Sequence, residues 1–216
     1  MAKLKTAVLI SGRGSNLQAL IDYCKSEDSA AEIKLVLSNT PGAAGLDRAS
    51  EAGIVSKIIN HKNFSNRKSF ERALTETLEN YSVELICLAG FMRILTSSFV
   101  KYWHNKIINI HPSLLPAFKG LNSHERALKA GVKFTGCTVH YVRAEMDTGP
   151  IIVQAAVPIL QEDDPESLAN RVLIAEHRCF SHALSLIAQD KIKIINEKVL
   201  IQGPKAPGVY FLNPIE

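Results

Sequence analysis

The sequence lacks the features that mark disulfide-rich secreted proteins and membrane-spanning proteins. Its 216 residues include four cysteines, at positions 24, 87, 137 and 179, and none forms a C-x-x-C pair. Cys87 and Cys137 lie in apolar, strand-like runs, where a reduced and buried thiol is the usual state. No apolar stretch approaches the roughly 20 residues that a membrane-spanning helix needs. The start also lacks a signal peptide, so we expect a cytoplasmic protein with no membrane partner.

The sequence also lacks a large excess of positive or negative charge. Lys and Arg total 25 and Asp and Glu total 21, which leaves a formal charge of +4 scattered along the chain. Nucleic-acid-binding surfaces show clustered positive charge, so we expect no nucleic-acid partner. This balance of charges is compatible with small anionic ligands bound at a local site. With no internal repeat or linker, we predict one domain over residues 1–216, because a chain of this length buries one good core.

Strand-like and helix-like segments alternate through the first half of the chain. Repeated β-α-β units predict an α/β fold with an open, mostly parallel, twisted sheet and helices on both faces. The second half adds a strand over 107–110, then β-rich runs at 134–142 and 150–157 whose short polar link predicts neighbouring antiparallel strands. A helix over 165–189, with Asp163 or Asp164 as cap, precedes short strands and loops from 190. The predicted segments of the first half are strands at 6–11, 32–37, 55–59 and 84–89, and helices at 15–26, 44–52 and 66–80.

One apolar strand ends in an amide and an imidazole. Asn109 and His111 are two positions apart, so they share one face of the strand, roughly 6–7 Å apart between Cα atoms. Pro112 keeps His111 extended. Both side chains therefore point into the space where a strand meets a loop, which is where open α/β sheets place ligands. A strand end with a satisfied histidine and a proline turn is the alternative that carries no function.

A glycine-bearing turn follows the first strand, in the order Ser11-Gly12-Arg13-Gly14-Ser15-Asn16-Leu17. Free N–H groups at the start of the next helix favour phosphate there, with Ser15 and Asn16 as added donors. The turn matches neither common nucleotide motif. The dinucleotide pattern needs a third glycine where Leu17 stands, and the P-loop needs a lysine. A structural turn without a ligand stays open.

Three further features depend on context. The run Leu88–Leu95 could wall a flat ring system, or it could be core packing with one surface arginine. Asp147 lies in a turn and could either bond its local backbone or lie beside His111 and favour the protonated imidazole. Glu176 and His177 lie within the long C-terminal helix. His182 follows His177 by five positions, which is not the spacing of a helical zinc site, so we expect no metal.

Taken in order, five segments resemble the phosphoribosylglycinamide formyltransferases, a folate-dependent family of purine biosynthesis. The resemblance runs from the first strand through Glu176. Each motif alone is weakly specific, but the five motifs in this order are highly specific. The matching segments are residues 9–18, residues 88–95, Asn109-Ile110-His111-Pro112-Ser113-Leu114-Leu115-Pro116, Gly136-Cys137-Thr138-Val139-His140, and residues 147–154.

The resemblance implies that a formyl group passes from 10-formyltetrahydrofolate to the amine of glycinamide ribonucleotide. It implies a nucleotide-binding half at about 1–100, a catalytic and folate half at about 101–216, and a monomer or homodimer. By the same similarity, Asn109, His111 and Asp147 match the catalytic trio. The ribonucleotide phosphate would be held by Gly14, Ser15 and Asn16, its ribose by Glu176, and the folate by Arg67, Met92, Arg93, Ile94, Leu95 and Asn109.

The sequence departs from the commonest family pattern over residues 117–124, which puts substrate-loop contacts in doubt rather than the reaction. Two relatives share the formyl donor and the trio. Methionyl-tRNA formyltransferase carries an additional C-terminal domain, and we expect none here because the chain ends at Glu216. Formyltetrahydrofolate deformylase carries an N-terminal regulatory domain, whereas here the catalytic-type sheet begins at residue 6. A non-catalytic folate or phosphate binder has no need for a proton relay.

Overall fold

The computed structural model of the chain describes residues 2–202. Seven strands form one sheet in the order β3-β2-β1-β4-β5-β6-β7. The pairs among β1 to β5 are parallel, whereas β6 is antiparallel to both β5 and β7. This arrangement confirms the predicted fold class. The strands are β1 Leu4–Ile10, β2 Ala31–Ser38, β3 Ser56–Ile58, β4 Leu85–Leu88, β5 Ile107–His111, β6 Phe134–Tyr141 and β7 Ile151–Pro158.

Six α-helices connect or follow these strands in the described part of the chain. A short 3-10 turn, His61–Asn63, precedes the third helix, and a two-stranded hairpin of β8 Ile192–Ile195 and β9 Lys198–Ile201 follows the last helix. None of the helices within residues 2–202 is long and apolar enough to cross a membrane. The helices are α1 Ser15–Lys25, α2 Gly45–Glu51, α3 Arg67–Asn80, α4 Ser97–Tyr102, α5 Ser123–Lys129 and α6 Pro165–Ala188.

Both faces of the central sheet are buried, which explains why β1 is apolar at every position from Ala7 to Ile10. Val8 and Ile10 pack in the cluster that contains α1 and α6, whereas Ala7 and Leu9 pack in the cluster that contains α3 and α4. Successive side chains of a strand point to opposite faces. A strand covered by helices on both sides therefore reads as a continuous apolar run.

The long helices begin where the sequence places caps. The Asn66 side chain accepts a hydrogen bond from the Ser69 N–H at the start of α3. At α6, Asp164 forms a capping box with Ser167, and Pro165 occupies the first turn. Asp163, the other candidate cap, pairs with Arg171, whose guanidinium lowers the pKa of Asp163 to about 2.

The predicted segments were found with bounds shifted by one or two residues, but two helices were not expected. α4 has six residues and α5 has seven. Each completes about two turns and shows no clear apolar period of 3.6, whereas α2, also of seven residues, was predicted from its place between two strands. The predicted tail from 190 corresponds to the β8–β9 hairpin as far as Gln202, and its remainder, 203–216, lies outside the described residues.

The strand order reverses between β1 and β4. The connections from β1 lead outward to β2 and β3, while those from β4 lead the other way to β5. Loops after β1 and β4 therefore diverge and leave a crevice at the carboxyl ends of these strands, the usual ligand position in open α/β sheets.

Candidate active site

The turn after β1 presents the start of α1 to the crevice. Gly14 has a φ of 72°, and a Cβ there would lie 2.6 Å from the Cα of Gly45. The Gly45 N–H donates to the Gly12 carbonyl at 3.0 Å, which fixes the turn against α2. No side chain caps α1. Its first N–H groups are therefore free to bind an anion, as the sequence predicts.

Asn16 and Glu176 meet beside this turn although 160 positions separate them. Asn16 Nδ2 donates to Glu176 Oε2 at 2.7 Å, and both side chains are buried. Burial raises the pKa of the Glu176 carboxyl, and the hydrogen bond from Asn16 opposes that rise. The Asn16 Oδ1 atom is buried and has no hydrogen-bond partner within residues 2–202. An unpartnered acceptor at the mouth of the turn suits a ligand hydroxyl or ammonium group.

The segment after β4 exposes two large apolar side chains and buries a third. Met92 and Ile94 are 67% and 62% exposed, whereas Leu95 is buried in the cluster with α3 and α4. The Arg93 side chain is half-buried, and its Nε has no partner in the described part of the chain. Arg67 lies at the exposed start of α3. The structure thus offers Met92 and Ile94 as an open apolar wall, whereas Leu95 belongs to the core.

Two polar contacts hold this segment in place. The Ser11 hydroxyl at the end of β1 accepts from the Met92 N–H at 2.8 Å and donates to Asn39 Oδ1 at 2.5 Å. At the other end, the buried Glu71 carboxylate accepts from the Thr96 N–H at 2.6 Å and from the Thr96 hydroxyl. The loop after β1 and the segment after β4 are therefore joined through Ser11.

His111 at the end of β5 has an acceptor facing each ring nitrogen. Nε2 lies 3.0 Å from the Phe118 carbonyl oxygen, and Nδ1 lies 3.4 Å from Asp147 Oδ2. A carbonyl only accepts hydrogen bonds, so Nε2 carries a hydrogen and donates it to the Phe118 oxygen. Nδ1 is therefore the ring nitrogen that can gain or lose a proton, and the Asp147 carboxylate lies beside it.

Asp147 reaches His111 because the β6–β7 link folds back along the sheet. β6 ends with Tyr141 paired to Ile108, near the start of β5, whereas His111 ends that strand. Gly149 makes the return possible, since a Cβ there would lie 2.1 Å from the Tyr141 carbonyl oxygen. Asp147 has a φ of 50°, and its Oδ2 accepts from the Gly120 N–H at 2.7 Å.

His140 completes the cluster and was not among the predicted site residues. It pairs with Asn109 across β5 and β6, and its Nδ1 lies 2.9 Å from the Tyr141 carbonyl oxygen, so Nδ1 carries the hydrogen. Burial lowers the pKa of His140, which leaves Nε2 as an acceptor. Asn109 Nδ2 lies 3.4 Å from that Nε2, and Asp147 Oδ1 lies 4.0 Å from it. His140 thereby turns the amide nitrogen of Asn109, rather than its oxygen, toward the cluster.

Two groups of the site, the His140 side chain and the Phe118 carbonyl, were not predicted from the sequence. His140 occupies a buried strand, and only the register between β5 and β6 places it opposite Asn109. The Phe118 carbonyl is a backbone group, so no residue type signals it. Within residues 2–202, no group of three His, Cys, Asp or Glu side chains is placed to hold a metal ion.

The chain belongs to the formyl transferase family, whose model matches residues 4–184. A phosphoribosylglycinamide formyltransferase of Escherichia coli (strain K12) is 38% identical over 204 residues, covering 94% of this chain and 96% of that protein. A crystal structure of phosphoribosylglycinamide formyltransferase from Anaplasma phagocytophilum is 51% identical, with a TM-score of 0.88, and the match covers 94% of this chain and 95% of that one.

Longer relatives carry the same region as one part of a larger protein. The trifunctional purine biosynthetic protein adenosine-3 of Bos taurus is 53% identical over 192 residues, which is 89% of this chain. The chain spans only 19% of that relative's length.

The buried Glu176 carboxyl generates a prediction about stability and pH. Because burial raises its pKa in the folded protein, ionisation costs stability as the pH rises above the ordinary glutamate pKa. Glu176→Gln keeps an acceptor for Asn16 and removes that cost. We expect a higher thermal midpoint than wild type at about pH 8, with the gain disappearing near about pH 4, where the unfolded-state carboxyl is also protonated.

Glu166→Gln is the matched control, since Glu166 is exposed in the first turn of the same helix. It should show no gain in midpoint at either pH. A Glu176→Gln protein that is less stable than wild type at about pH 8 would contradict a burial cost at Glu176.

Proposed function

We propose that the protein transfers the formyl group of 10-formyltetrahydrofolate to the amine of glycinamide ribonucleotide. The products are formylglycinamide ribonucleotide and tetrahydrofolate, in de novo purine biosynthesis. The observation that carries the proposal is the His111 imidazole between two acceptors, with the Asn109 amide nitrogen turned into the same cluster. The named relatives of similar length support the choice of this acceptor over other formyl acceptors.

In this proposal the nucleotide lies across the carboxyl ends of β1, β4 and β5. Gly14, Ser15 and the backbone N–H of Asn16 at the start of α1 bind the phosphate, and Glu176 accepts from the ribose hydroxyls. Two strand spacings separate β1 from β5, about 10 Å. That distance matches a ribonucleotide whose phosphate lies at α1 and whose amine reaches His111.

The folate would lie against the segment after β4. Met92 and Ile94 expose apolar surface for the pterin ring, while backbone groups and the orphaned Arg93 Nε hydrogen-bond to polar atoms of the ligand. Leu95 supports this wall from the core rather than by open contact. Arg67 is exposed and has no ion pair with another described residue, which leaves it free for an acidic part of the cofactor.

The chemistry begins when the substrate amine attacks the formyl carbon. The carbonyl oxygen becomes an oxyanion, which the Asn109 N–H and the imidazolium stabilise by hydrogen bonding. N10 of the folate then needs a proton to leave as a neutral amine, and the attacking nitrogen must lose one. His111 gives a proton to N10 and takes one from the new amide nitrogen, so the enzyme ends unchanged. The Nδ1–H, with its long contact to Asp147, is the mobile proton.

The remaining proposals concern the roles of Asp147 and Asn109, the organisation of the domain and the partners of the protein. Asp147 favours the charged imidazole, and Asn109 serves both the oxyanion and the folate. We further propose that the nucleotide-binding half is about 1–100 and the catalytic half about 101–216 of a single domain. We propose a cytoplasmic monomer or homodimer that acts on these small molecules, with neither nucleic acid nor a membrane as partner.

A spectrophotometric assay tests the reaction. We expect turnover when glycinamide ribonucleotide and a 10-formyl folate are both present, because the nucleotide supplies the amine that His111 and Asn109 serve. Methionyl-tRNA and water replace the nucleotide in parallel reactions, and neither should support comparable turnover. Turnover with methionyl-tRNA or water, and none with the nucleotide, would overturn the proposed substrate and favour the transfer-RNA formyltransferase or the deformylase. Binding of folate without any turnover would favour a binding module.

Asp147→Asn tests the proton relay. An amide in place of the carboxylate keeps an acceptor for the Gly120 N–H but no longer stabilises charge on His111. We expect kcat to fall by roughly a hundredfold or more, as for the loss of acid–base assistance. Steady-state kinetics measure this.

Glu145→Gln is the control, because it removes an exposed carboxylate from the same link. Its kcat should stay at the wild-type value. Equal losses in Asp147→Asn and Glu145→Gln, or no loss in Asp147→Asn, would rule out the role given to Asp147.

A further inference from the structure

The turn that follows Pro116 braces both His111 and Asp147 through its backbone. The Phe118 carbonyl accepts from His111 Nε2, and two residues later the Gly120 N–H donates to Asp147 Oδ2. These two contacts determine where the imidazole and the carboxylate face one another. The position of this turn therefore controls the geometry of the proton relay.

The turn has a conformation that costs free energy and needs support. Phe118 has a φ of 52°, and Asn122 has a φ of 55°. Non-glycine residues rarely adopt this left-handed region, and a bulky side chain does so only where surrounding contacts hold it. Ser123 gives part of that support, since its buried hydroxyl lies 3.4 Å from the Phe118 oxygen and 3.3 Å from the Gly120 oxygen.

Arg126 provides further support for this conformation from the outer side of the turn. Its Nη1 donates to the Lys119 carbonyl at 2.5 Å and lies 3.4 Å from the Leu121 carbonyl. Its guanidinium carbon lies 5.7 Å from the centroid of the Phe118 ring, within range of a cation–π contact. One side chain thus holds the residues on both sides of Gly120, together with the ring of Phe118.

We propose that Arg126 is a positioning residue that holds the 118–121 turn and, through it, His111 and Asp147 in register for proton transfer. The inference rests on the proposed formyl transfer. Arg126 is exposed on α5, while the helix itself is anchored by Ala127, which is fully buried. Loss of the arginine side chain therefore leaves the helix in place and frees the turn.

The expected defect lies in the chemical step rather than in nucleotide binding. When the Lys119 and Leu121 carbonyls lose their donor, water takes its place and the turn moves. A displacement of about 1 Å at a catalytic group costs up to about a hundredfold in rate. The proposed phosphate site lies two strands away at α1, so the KM for the nucleotide should change little.

The kinetic test compares Arg126→Ala, Arg126→Lys and Lys129→Ala with wild type. Lys129 is exposed on the same helix, and its side chain has no hydrogen bond or ion pair in the described part of the chain. We expect Arg126→Ala to lower kcat by about tenfold or more, with the KM for glycinamide ribonucleotide within about twofold of wild type. Arg126→Lys restores part of the rate, because one ammonium reaches one carbonyl but cannot spread over the ring as well. Lys129→Ala behaves as wild type.

Amide exchange gives a second measurement that does not depend on turnover. In wild type the Gly120 N–H is held by Asp147, so its exchange with solvent is slow. It should exchange faster in Arg126→Ala and stay unchanged in Lys129→Ala, with the amides of the central strands unchanged in both. A rise in exchange throughout the core would show general destabilisation and overturn the proposal.

The outcomes separate this inference from the proposed function. A kcat for Arg126→Ala equal to that of Lys129→Ala overturns the positioning role while formyl transfer stands. A lower kcat without faster Gly120 exchange also overturns it, because the loss would not act through the turn. A wild-type protein without turnover refutes the proposed function, and the Gly120 exchange then still decides whether Arg126 holds the turn.

Discussion

The imidazole of His111 depends on two acceptors that come from distant parts of the chain. One is the Phe118 carbonyl, seven residues on, and the other is the Asp147 carboxylate, 36 positions away, held in turn by the Gly120 N–H. The carbonyl accepts from Nε2, which leaves Nδ1 as the nitrogen that can gain or lose a proton beside the carboxylate. The proposed formyl transfer needs a proton donor at the departing amine, and this arrangement places Nδ1 of His111 in the crevice for that role.

The rest of the site is arranged around that ring by the sheet. β5 presents Asn109 and His111, while β6 sets His140 opposite Asn109 and so orients the amide. Ser11 joins the loop after β1 to the segment after β4. The two proposed substrate sites therefore share Ser11 as a support, so a displacement of one loop would displace the other.

The sequence predicted the features that depend on local order. The apolar run of β1, the glycine turn, the alternation of strands and helices, and the antiparallel pair β6–β7 all follow from residue type and spacing. The structure brings Asp147 to His111, which the sequence left open, because Gly149 lets the link fold back against Tyr141. Register between strands is a tertiary property, and so the place of His140 was out of reach. The sequence also left open whether Leu95 packs in the core, since only packing against α3 and α4 separates it from Met92 and Ile94.

The central claim concerns the hydrogen on Nε2 of His111, which nitrogen NMR detects directly. In protein labelled with 15N-histidine, the His111 signals are assigned by their loss in His111→Asn. The account predicts that Nε2 of His111 resonates as a protonated nitrogen coupled to its own hydrogen, because it donates to the Phe118 carbonyl. A resonance typical of a bare imidazole nitrogen at Nε2 would contradict it.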